Sequence, residues 1–259
     1  MDLGLAGRKA IVCASSRGLG KACARALAEA GCEVVINGRD AKTLAATAAE
    51  LSQLTGAKVI AVAADVVTAD GQKALLTACP QPDILINNNA GPPLRDFREL
   101  SRQQMIDGLT ANMIVAVELI QKVIDPMLQR RFGRIVNITS GAVKAPLAGL
   151  DLSSGARAGL TAFLAGVART VADKNVTINN ILPGAFDTDR LRGTLSKAAE
   201  TRSKSIAQVA ADRINSIPAK RFGNPAEFGA ACAFLCSTHA GYITGQNLLI
   251  DGGSFPGAF

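Results

Sequence analysis

The sequence is poor in the residues that stack on bases or build common hydrolytic and metal sites. It contains no tryptophan, one tyrosine and one histidine in 259 residues. Without aromatic residues to stack on bases, and without a dense run of Lys and Arg, the chain lacks the pattern of a nucleic-acid-binding protein, and we expect no nucleic-acid partner. The single histidine, His239, argues against a multi-histidine metal site or a histidine-based triad, and we expect no metal.

Long apolar runs and closely spaced cysteine pairs are also missing. No stretch reaches the roughly 18 apolar residues of a membrane span, and the start of the chain lacks the long apolar region of a signal peptide, so we expect no membrane partner. The six cysteines form no CxxC pair, and most of them lie among Ala, Val or Leu like small buried residues. This usage is typical of a cytoplasmic protein.

The composition that is present fits one large α/β domain spanning residues 1–259. A hydrophobic content of 48% can bury a substantial core in a chain of this length. The net charge of +7 is compatible with nucleic acid or with an anionic small molecule. Since the nucleic-acid pattern is absent, a small-molecule ligand, anionic in character, is the better interpretation.

Short β-branched runs alternate with longer Ala- and Leu-rich segments of helical period. Seven strands are predicted, from "RKAIVCAS" at the start to "GQNLLIDGG" near the end, with helices between them. The strands are apolar at nearly every position, which indicates burial on both faces. The pattern predicts an α/β fold with a doubly wound, parallel, seven-stranded sheet and helices on both faces.

The least regular stretch lies at about 184–222, where Lys and Arg outnumber Asp and Glu. It is either a solvated helical insertion or a mobile lid over the ligand crevice. We favour the substrate lid, because ligands of open α/β sheets bind at the carboxyl ends of the strands.

A glycine-containing loop, "CASSRGLG" at 13–20, follows the first strand and opens the first helix. Gly18 and Gly20 let the backbone turn tightly and approach a pyrophosphate at the helix N-terminus. Three further motifs follow in order: "NNAG" at 88–91, "IVNITS" at 135–140, and the Pro-Gly pair at 183–184 with Thr188.

This ordered set resembles the short-chain dehydrogenase/reductase family, and especially its β-ketoacyl reductase-like branch, from about Leu5 to Gly253. The resemblance implies a Rossmann-like sheet, a nicotinamide cofactor across the strand ends, and a homotetramer. The long predicted helices at 101–131 and 152–173 would then pack one face on the sheet and another on a neighbouring subunit.

The resemblance also implies a catalytic set at Asn112, Ser140, position 153 and position 157. In the family, Asn holds a relay water, Ser polarises the carbonyl, Tyr donates a proton, and Lys lowers the pKa of the tyrosine. Here Ser153 and Arg157 occupy the Tyr-x-x-x-Lys frame. As positions i and i+4 of a helix they should point together into the crevice. The chain is thus a divergent member that lacks the usual pair.

Those departures leave the source of the proton open. Arg157, with an ordinary pKa above ~12, can stabilise an oxyanion but is a poor donor. Lys144, four residues after Ser140, is a candidate donor, and the alternative is that it is a solvated loop lysine. Asp151 could donate instead, or could cap a helix that opens at Ser153.

Cofactor choice is predicted from the end of the second strand. Gly38 stands where the family's NAD-type acid would be, Arg39 follows, and Arg17 adds a second cation. Two guanidiniums without a carboxylate between them favour the 2′-phosphate of NADP(H).

Asp65 resembles the family residue that meets the adenine. Ala14 replaces a family glycine, which is tolerable if its φ stays negative. The full expected cofactor site is Ser15, Ser16, Arg17, Gly18, Leu19, Gly20, Asn37, Arg39, Asp65, Val66, Asn89, Ala90, Gly91, Pro183, Gly184 and Thr188.

The sequence therefore predicts an NADP(H)-dependent oxidoreductase that reduces a carbonyl, a 3-oxoacyl compound or related ketone, to an alcohol with an atypical active site. Intact "NNAG", Asn112 and Ser140 favour this enzyme. The alternative, favoured by Ser153 and Arg157, is a pyridine-nucleotide-binding protein without useful turnover, acting as a sensor or partner subunit.

Overall fold

The computed structural model describes residues 1–258, and across them it forms seven β-strands and nine α-helices. The strands are β1 Lys9–Val12, β2 Glu33–Gly38, β3 Val59–Ala63, β4 Ile84–Asn87, β5 Gly133–Ile138, β6 Val176–Pro183 and β7 Asn247–Ile250. The helices are α1 Gly18–Glu29, α2 Ala41–Thr55, α3 Ala69–Ala78, α4 Arg102–Leu109, α5 Val115–Arg130, α6 Asp151–Val171, α7 Asp189–Arg202, α8 Ile206–Ser216 and α9 Pro225–Cys236.

The strands build a single parallel sheet in the order β3-β2-β1-β4-β5-β6-β7. The order reverses between β1 and β4, so the loops after these two strands flank the crevice in which open α/β sheets bind ligands. The prediction of a doubly wound parallel sheet is confirmed.

Each face of the sheet carries its own hydrophobic core, which explains why the strands are apolar at consecutive positions. One core packs α1, α2 and α9 against side chains such as Val12, Ile36 and Ile86. The other packs α3, α5 and α6 against the alternate positions, such as Ile11 and Leu85. All six cysteines are buried and reduced within these layers, as the sequence predicted.

A row of hydrogen-bonded asparagine side chains, here called the asparagine ladder, links the four neighbouring strands β4, β5, β6 and β7. Asn87 donates to Asn137 at 2.9 Å, Asn137 donates to Asn180 at 3.0 Å, and Asn180 donates to Asn247 at 2.8 Å. These residues are register partners on β4, β5, β6 and β7. Because the two inner amides, Asn137 and Asn180, both donate and accept, the ladder satisfies polar groups inside the sheet and fixes the register beside the crevice, while Asn87 Oδ1 at its end has no partner among the described protein atoms.

The stretch at 184–222 folds as the two helices α7 and α8, which share a small apolar cluster built on Leu195, Ala199 and Val209. Lid movement of this segment stays a prediction. Within residues 1–258, the structure has no helix with both the length and the apolar character needed to cross a membrane.

Candidate active site

The loop between β1 and α1 contains a strained residue at its start. Ala14 has φ of 44°, in the left-handed region that costs an L-residue about 1–2 kcal/mol. A negative φ, the condition under which alanine replaces glycine here without strain, is therefore not met. The loop keeps the turn that a glycine would make without strain, because it is tied to its neighbours: the Ala14 N–H donates to Asn37 Oδ1 at 3.3 Å, and Asn88 Nδ2 donates to the Ala14 carbonyl at 3.0 Å.

Ser15 and Asn37, both predicted to bind cofactor, hold this loop from inside. The Ser15 hydroxyl donates to the Val12 carbonyl at 2.7 Å and accepts from the Asn37 N–H at 3.0 Å. Asn37 Nδ2 donates to the carbonyls of Val62 and Ala64, at 3.1 and 2.9 Å. Both residues are buried, so their side chains position the loop backbone.

The end of the glycine loop forms a cradle that fits a pyrophosphate. Gly18 has φ of 59°, and within the described chain only the Thr188 methyl group, at 3.8 Å, lies near the position that a Cβ would take. Arg17 is the residue before α1, and its side chain does not cap the helix. The first N–H groups of α1 are therefore left without a side-chain acceptor from Arg17. Free N–H groups and the helix dipole favour a phosphate at this position.

The two cations expected to select the 2′-phosphate each have a carboxylate in their vicinity. Arg39 Nη1 lies 4.0 Å from Asp65 Oδ2, the outer limit of an ion pair, and its side chain is largely exposed. Arg17 lowers the pKa of Asp40, although hydrogen bonds from Thr43 are the larger cause. Gly38 leaves room for Ser16, whose hydroxyl would lie 3.2 Å from a Cβ at position 38. No acid occupies that position.

Ser153 and Arg157 lie on one face of α6 and contact each other, as the i, i+4 spacing predicts, and Arg157 lines the cavity at the crevice. The Arg157 guanidinium donates to the Ser153 hydroxyl, and both side chains are buried. Burial and, secondarily, the charge of Arg190 lower the pKa of Arg157 to about 10. The expectation of a pKa above ~12 is therefore wrong, yet the guanidinium is still charged at neutral pH.

Asn112 lies in a single π-helical turn, Thr110–Ile114, that joins α4 to α5. Its Nδ2 donates to the Gly108 carbonyl at 3.1 Å, and its buried Oδ1 has no partner among the described protein atoms. The residue lines a cavity of about 30 Å³ that also touches Asn137 and Arg157, large enough for about two water molecules. A π turn at this point is a common feature of functional sites, and nothing in the sequence signals it.

The loop after β5 carries Ser140 and Lys144. Ser140 is half-buried, and its hydroxyl accepts from the Ala142 N–H at 3.1 Å. Lys144 is exposed, with Nζ 5.6 Å from the centre of the Phe255 ring. Asp151 is the first residue of α6 and accepts from the Gly149 N–H at 3.2 Å, so α6 opens at Asp151 and the expected helix start at Ser153 is wrong.

The remaining predicted cofactor residues border the same edge of the sheet. Asn89 Nδ2 donates to the Ala111 carbonyl at 3.2 Å, and Thr188 caps α7 by accepting from the Leu191 N–H at 3.3 Å. The Gly184 N–H donates to the Ile250 carbonyl at 2.9 Å. Val66 is buried beside the cavity, Leu19 and Pro183 are half-buried, and Ala90 is exposed.

One residue of the site was not predicted. Arg190, in the first turn of α7, brings Nη2 to within 2.9 Å of the position that a Cβ would take at Gly91, where Arg157 also arrives. The excess of cations at 184–222 was visible in the sequence, but which of them turns toward the crevice depends on the fold. Tyr242, the only tyrosine of the sequence, is fully exposed and cannot replace the missing acid.

The chain is similar in sequence to reductases over nearly its whole length. It is 32% identical to the 3-oxoacyl-[acyl-carrier-protein] reductase of Vibrio cholerae over 257 residues, 98% of this chain and 99% of that protein. It is 31% identical to an NADPH-dependent reductase of Bacillus subtilis, over 95% of this chain and 97% of that protein.

The fold is similar to solved structures of the same kind. L-sorbose reductase from Gluconobacter frateurii, solved with NADPH and L-sorbose, matches with a TM-score of 0.94 and 27% identity, over 99% of this chain and all of that one. The family model described as enoyl-(acyl carrier protein) reductase matches residues 13–254. The chain therefore belongs to the short-chain dehydrogenase/reductase family.

Proposed function

We propose that this protein is an NADP(H)-dependent oxidoreductase that reduces a carbonyl compound, a 3-oxoacyl derivative or related ketone, to an alcohol. The observation that carries the proposal is the buried Arg157–Ser153 pair on α6, which places a cation and a hydroxyl in the family's Tyr-x-x-x-Lys frame. The relatives named as reductases support the reaction type.

The cofactor site combines the cradle at Gly18, the cations Arg17 and Arg39 for the 2′-phosphate, and Thr188 opposite the cradle. A bound NADPH supplies the hydride. The open space at Gly18 fits a phosphate group, and the uncapped α1 N-terminus supplies the donors for it.

The protein's own groups stabilise the oxyanion that forms on the carbonyl oxygen. Arg157 is charged at neutral pH and is held by Ser153. Because the Ser153 hydroxyl accepts from Arg157, its own proton is free to donate to a substrate oxygen. Ser140 supplies a second hydroxyl from the loop after β5. Donors fixed in a dry site stabilise developing charge more than donors in water.

The proton that completes the alcohol comes from water or from Lys144. Asn112 lines the cavity beside Arg157, and its unpartnered Oδ1 can anchor a water there. Lys144 lies on the exposed loop and contacts Phe255, so it would have to turn inward to donate.

A panel of carbonyls and alcohols, assayed with NADPH and NADH through the reduced nicotinamide absorbance, tests the proposal. On a substrate found in this way, Arg157→Ala and Ser140→Ala should each lower kcat by about 10²–10³-fold, the usual effect of removing an oxyanion donor. Ser153→Ala should be milder, because serine is a poor acid. Arg169→Ala, an exposed arginine of the same helix, is the control and should leave kcat unchanged.

Lys144→Ala decides between the proton sources. A loss close to that of Ser140→Ala assigns the proton to Lys144, and unchanged activity assigns it to water. In the double variant Ser153→Tyr with Arg157→Lys, a large gain in turnover would mean that the natural pair is a degraded site. No gain would mean that the pocket is built around Ser153 and Arg157.

The alternative, a nucleotide-binding protein without useful turnover, is favoured by one observation: the family's catalytic Tyr and Lys are both missing, and Tyr242, the only tyrosine of the sequence, is fully exposed. NADPH binding together with no turnover on the whole panel, in the parent and in every variant, would replace the reductase proposal by this one.

A further inference from the structure

Two guanidiniums converge on one point of the crevice. A Cβ built on Gly91 would lie 2.9 Å from Arg190 Nη2, and 3.2 and 3.3 Å from Arg157 Nη1 and Nη2. Both guanidiniums, from α6 and α7, thus pack against the Gly91 backbone and lie side by side at the crevice. A side chain at position 91 would clash with them, so glycine allows both to approach this closely.

Neither guanidinium has an acidic partner among residues 1–258. Arg157 donates only to the neutral Ser153 hydroxyl, and the Arg190 side chain makes no hydrogen bond or ion pair within the described chain. The acidic residues closest to Arg190 in sequence form ion pairs with a different arginine. Arg192 pairs with Asp187 at 2.9 Å and with Asp189 at 3.0 Å.

This arrangement is unfavourable unless an anion binds. Arg157 is a buried cation without a counter-ion, which is costly, and the like charge of the neighbouring, exposed Arg190 adds repulsion. The lowered pKa of Arg157, caused by burial and then by Arg190, reflects both effects. A carboxylate between the two guanidiniums would relieve both, since arginine binds carboxylates through paired, planar donors.

We propose that Arg157 and Arg190 bind a carboxylate group of the substrate, so that the preferred substrates are oxo acids whose carboxylate lies a few bonds from the reacting carbonyl. This inference rests on the proposed reductase function. The carboxylate is on the substrate because Arg157 bonds to Ser153, which stands where the family's proton donor meets the carbonyl. Arg17 and Arg39 are the cations available for the cofactor's 2′-phosphate.

Binding to the NADP⁺-loaded protein, measured by calorimetry, tests the proposal without turnover, since an oxo compound and an oxidised cofactor do not react. The probes are 2-oxobutanoate, 3-oxobutanoate and 4-oxopentanoate, each compared with its methyl ester. At least one acid should bind tenfold or more tightly than its ester, the effect of one or two charge-assisted hydrogen bonds.

Arg190→Met should remove that preference and leave the Kd for NADP⁺ and for the esters unchanged. Arg192→Met is the matched control, because this arginine is on the same helix and is neutralised by Asp187 and Asp189. It should bind the acids like the parent.

Three results would overturn the carboxylate site: equal binding of acids and esters, no binding of any acid, or an Arg190→Met variant whose NADP⁺ affinity falls as much as its acid affinity. The last result would assign the arginines to the cofactor's pyrophosphate. Reduction of esters as well as acids would leave the reductase function standing without the carboxylate site. Tight acid binding without any turnover would support the carboxylate site and reject the reductase function.

Discussion

Arg157 is a buried cation, and burial disfavours its charged form. Its guanidinium has a pKa of about 10, lowered chiefly by burial. The unfolded chain therefore keeps this proton to a higher pH than the folded protein does. The unfavourable contribution of Arg157 to stability is complete at neutral pH and disappears as pH rises from about 10 toward the ordinary arginine value. Such a cost is consistent with a role in binding and catalysis.

The titration of Arg157 should appear in the pH dependence of the reaction. With a substrate identified, kcat/KM should fall as pH rises through about 10, where the cation is lost. Arg157→Lys should move this fall to lower pH, since an ordinary lysine titrates near ~10.4 and burial lowers that value further. Arg169→Lys is the control and should follow the parent profile. If kcat/KM falls at the same pH in the parent and in Arg157→Lys, the fall is not caused by loss of the charge at position 157, and the prediction is wrong.

Arg39 is the residue on which cofactor preference should depend. It follows the Gly38 position that lacks an acid, and its 4.0 Å contact with the exposed Asp65 is too weak to compete with a phosphate. We expect NADPH to bind more tightly than NADH. Arg39→Ala should erase most of the difference, about tenfold or more, measured by calorimetry. Arg25→Ala, which removes an exposed arginine paired with Glu29, should not change it. Equal affinities in the parent would refute the prediction.

At the scale of elements, the sequence predicted most of the fold because periodicity and burial agree. The strand predicted at "RKAIVCAS" forms as Lys9–Val12, and the long helix predicted at 152–173 forms as Asp151–Val171. The helices α7 and α8 were predicted only as one of two alternatives for 184–222, a solvated helical insertion, because they are charged and share a small apolar cluster of their own that includes Leu195 and Val209. Local periodicity is weak in such a pair.

The site was predictable only where a motif fixes it. Ser153 and Arg157 share a helix face, so their spacing was enough to bring them together. Two features depend on the packing of elements distant in sequence. One is the approach of Arg190 to Gly91, and the other is the π turn that places Asn112 at the cavity. Residue types alone carry no signal for either.

The loop between β1 and α1 carries a strain that a substitution can remove. Ala14→Gly should stabilise the protein by up to about 1 kcal/mol, because φ of 44° costs glycine nothing and costs alanine about 1–2 kcal/mol, partly offset by the entropy of the unfolded chain. Thermal unfolding should show Tm higher by up to about 4 °C. Ala45→Gly, at an exposed position of α2, is the matched control and should lower Tm. A lower Tm for Ala14→Gly would show that the methyl group is needed for packing.

At the scale of the whole molecule, several of the apolar side chains that stay exposed lie on the helices that cover one face of the sheet. The exposed side chains on the helical run 102–130 and on α6 are Met105, Ile106, Leu109, Ile114 and Phe163. These elements already pack their other face on the sheet, through residues such as Leu119 and Leu164. Apolar side chains grouped on one side of a molecule are typical of an interface.

We predict that the protein is a homotetramer in which the helical run 102–130 and α6 pack against a neighbouring subunit about a twofold axis. Because the same patch then meets itself, one charged substitution places two like charges in each interface, buried and without counter-ions. Phe163→Glu, at a side chain that is 48% exposed, should therefore dissociate the assembly with little effect on the fold of the chain. Light scattering should give the parent a mass four times that of the chain, and a smaller mass for the variant. Leu54→Glu, a similarly exposed apolar residue on α2, is the control and should keep the parent mass. A stable monomer at micromolar concentration would contradict the prediction, as would a Phe163→Glu variant with unchanged mass.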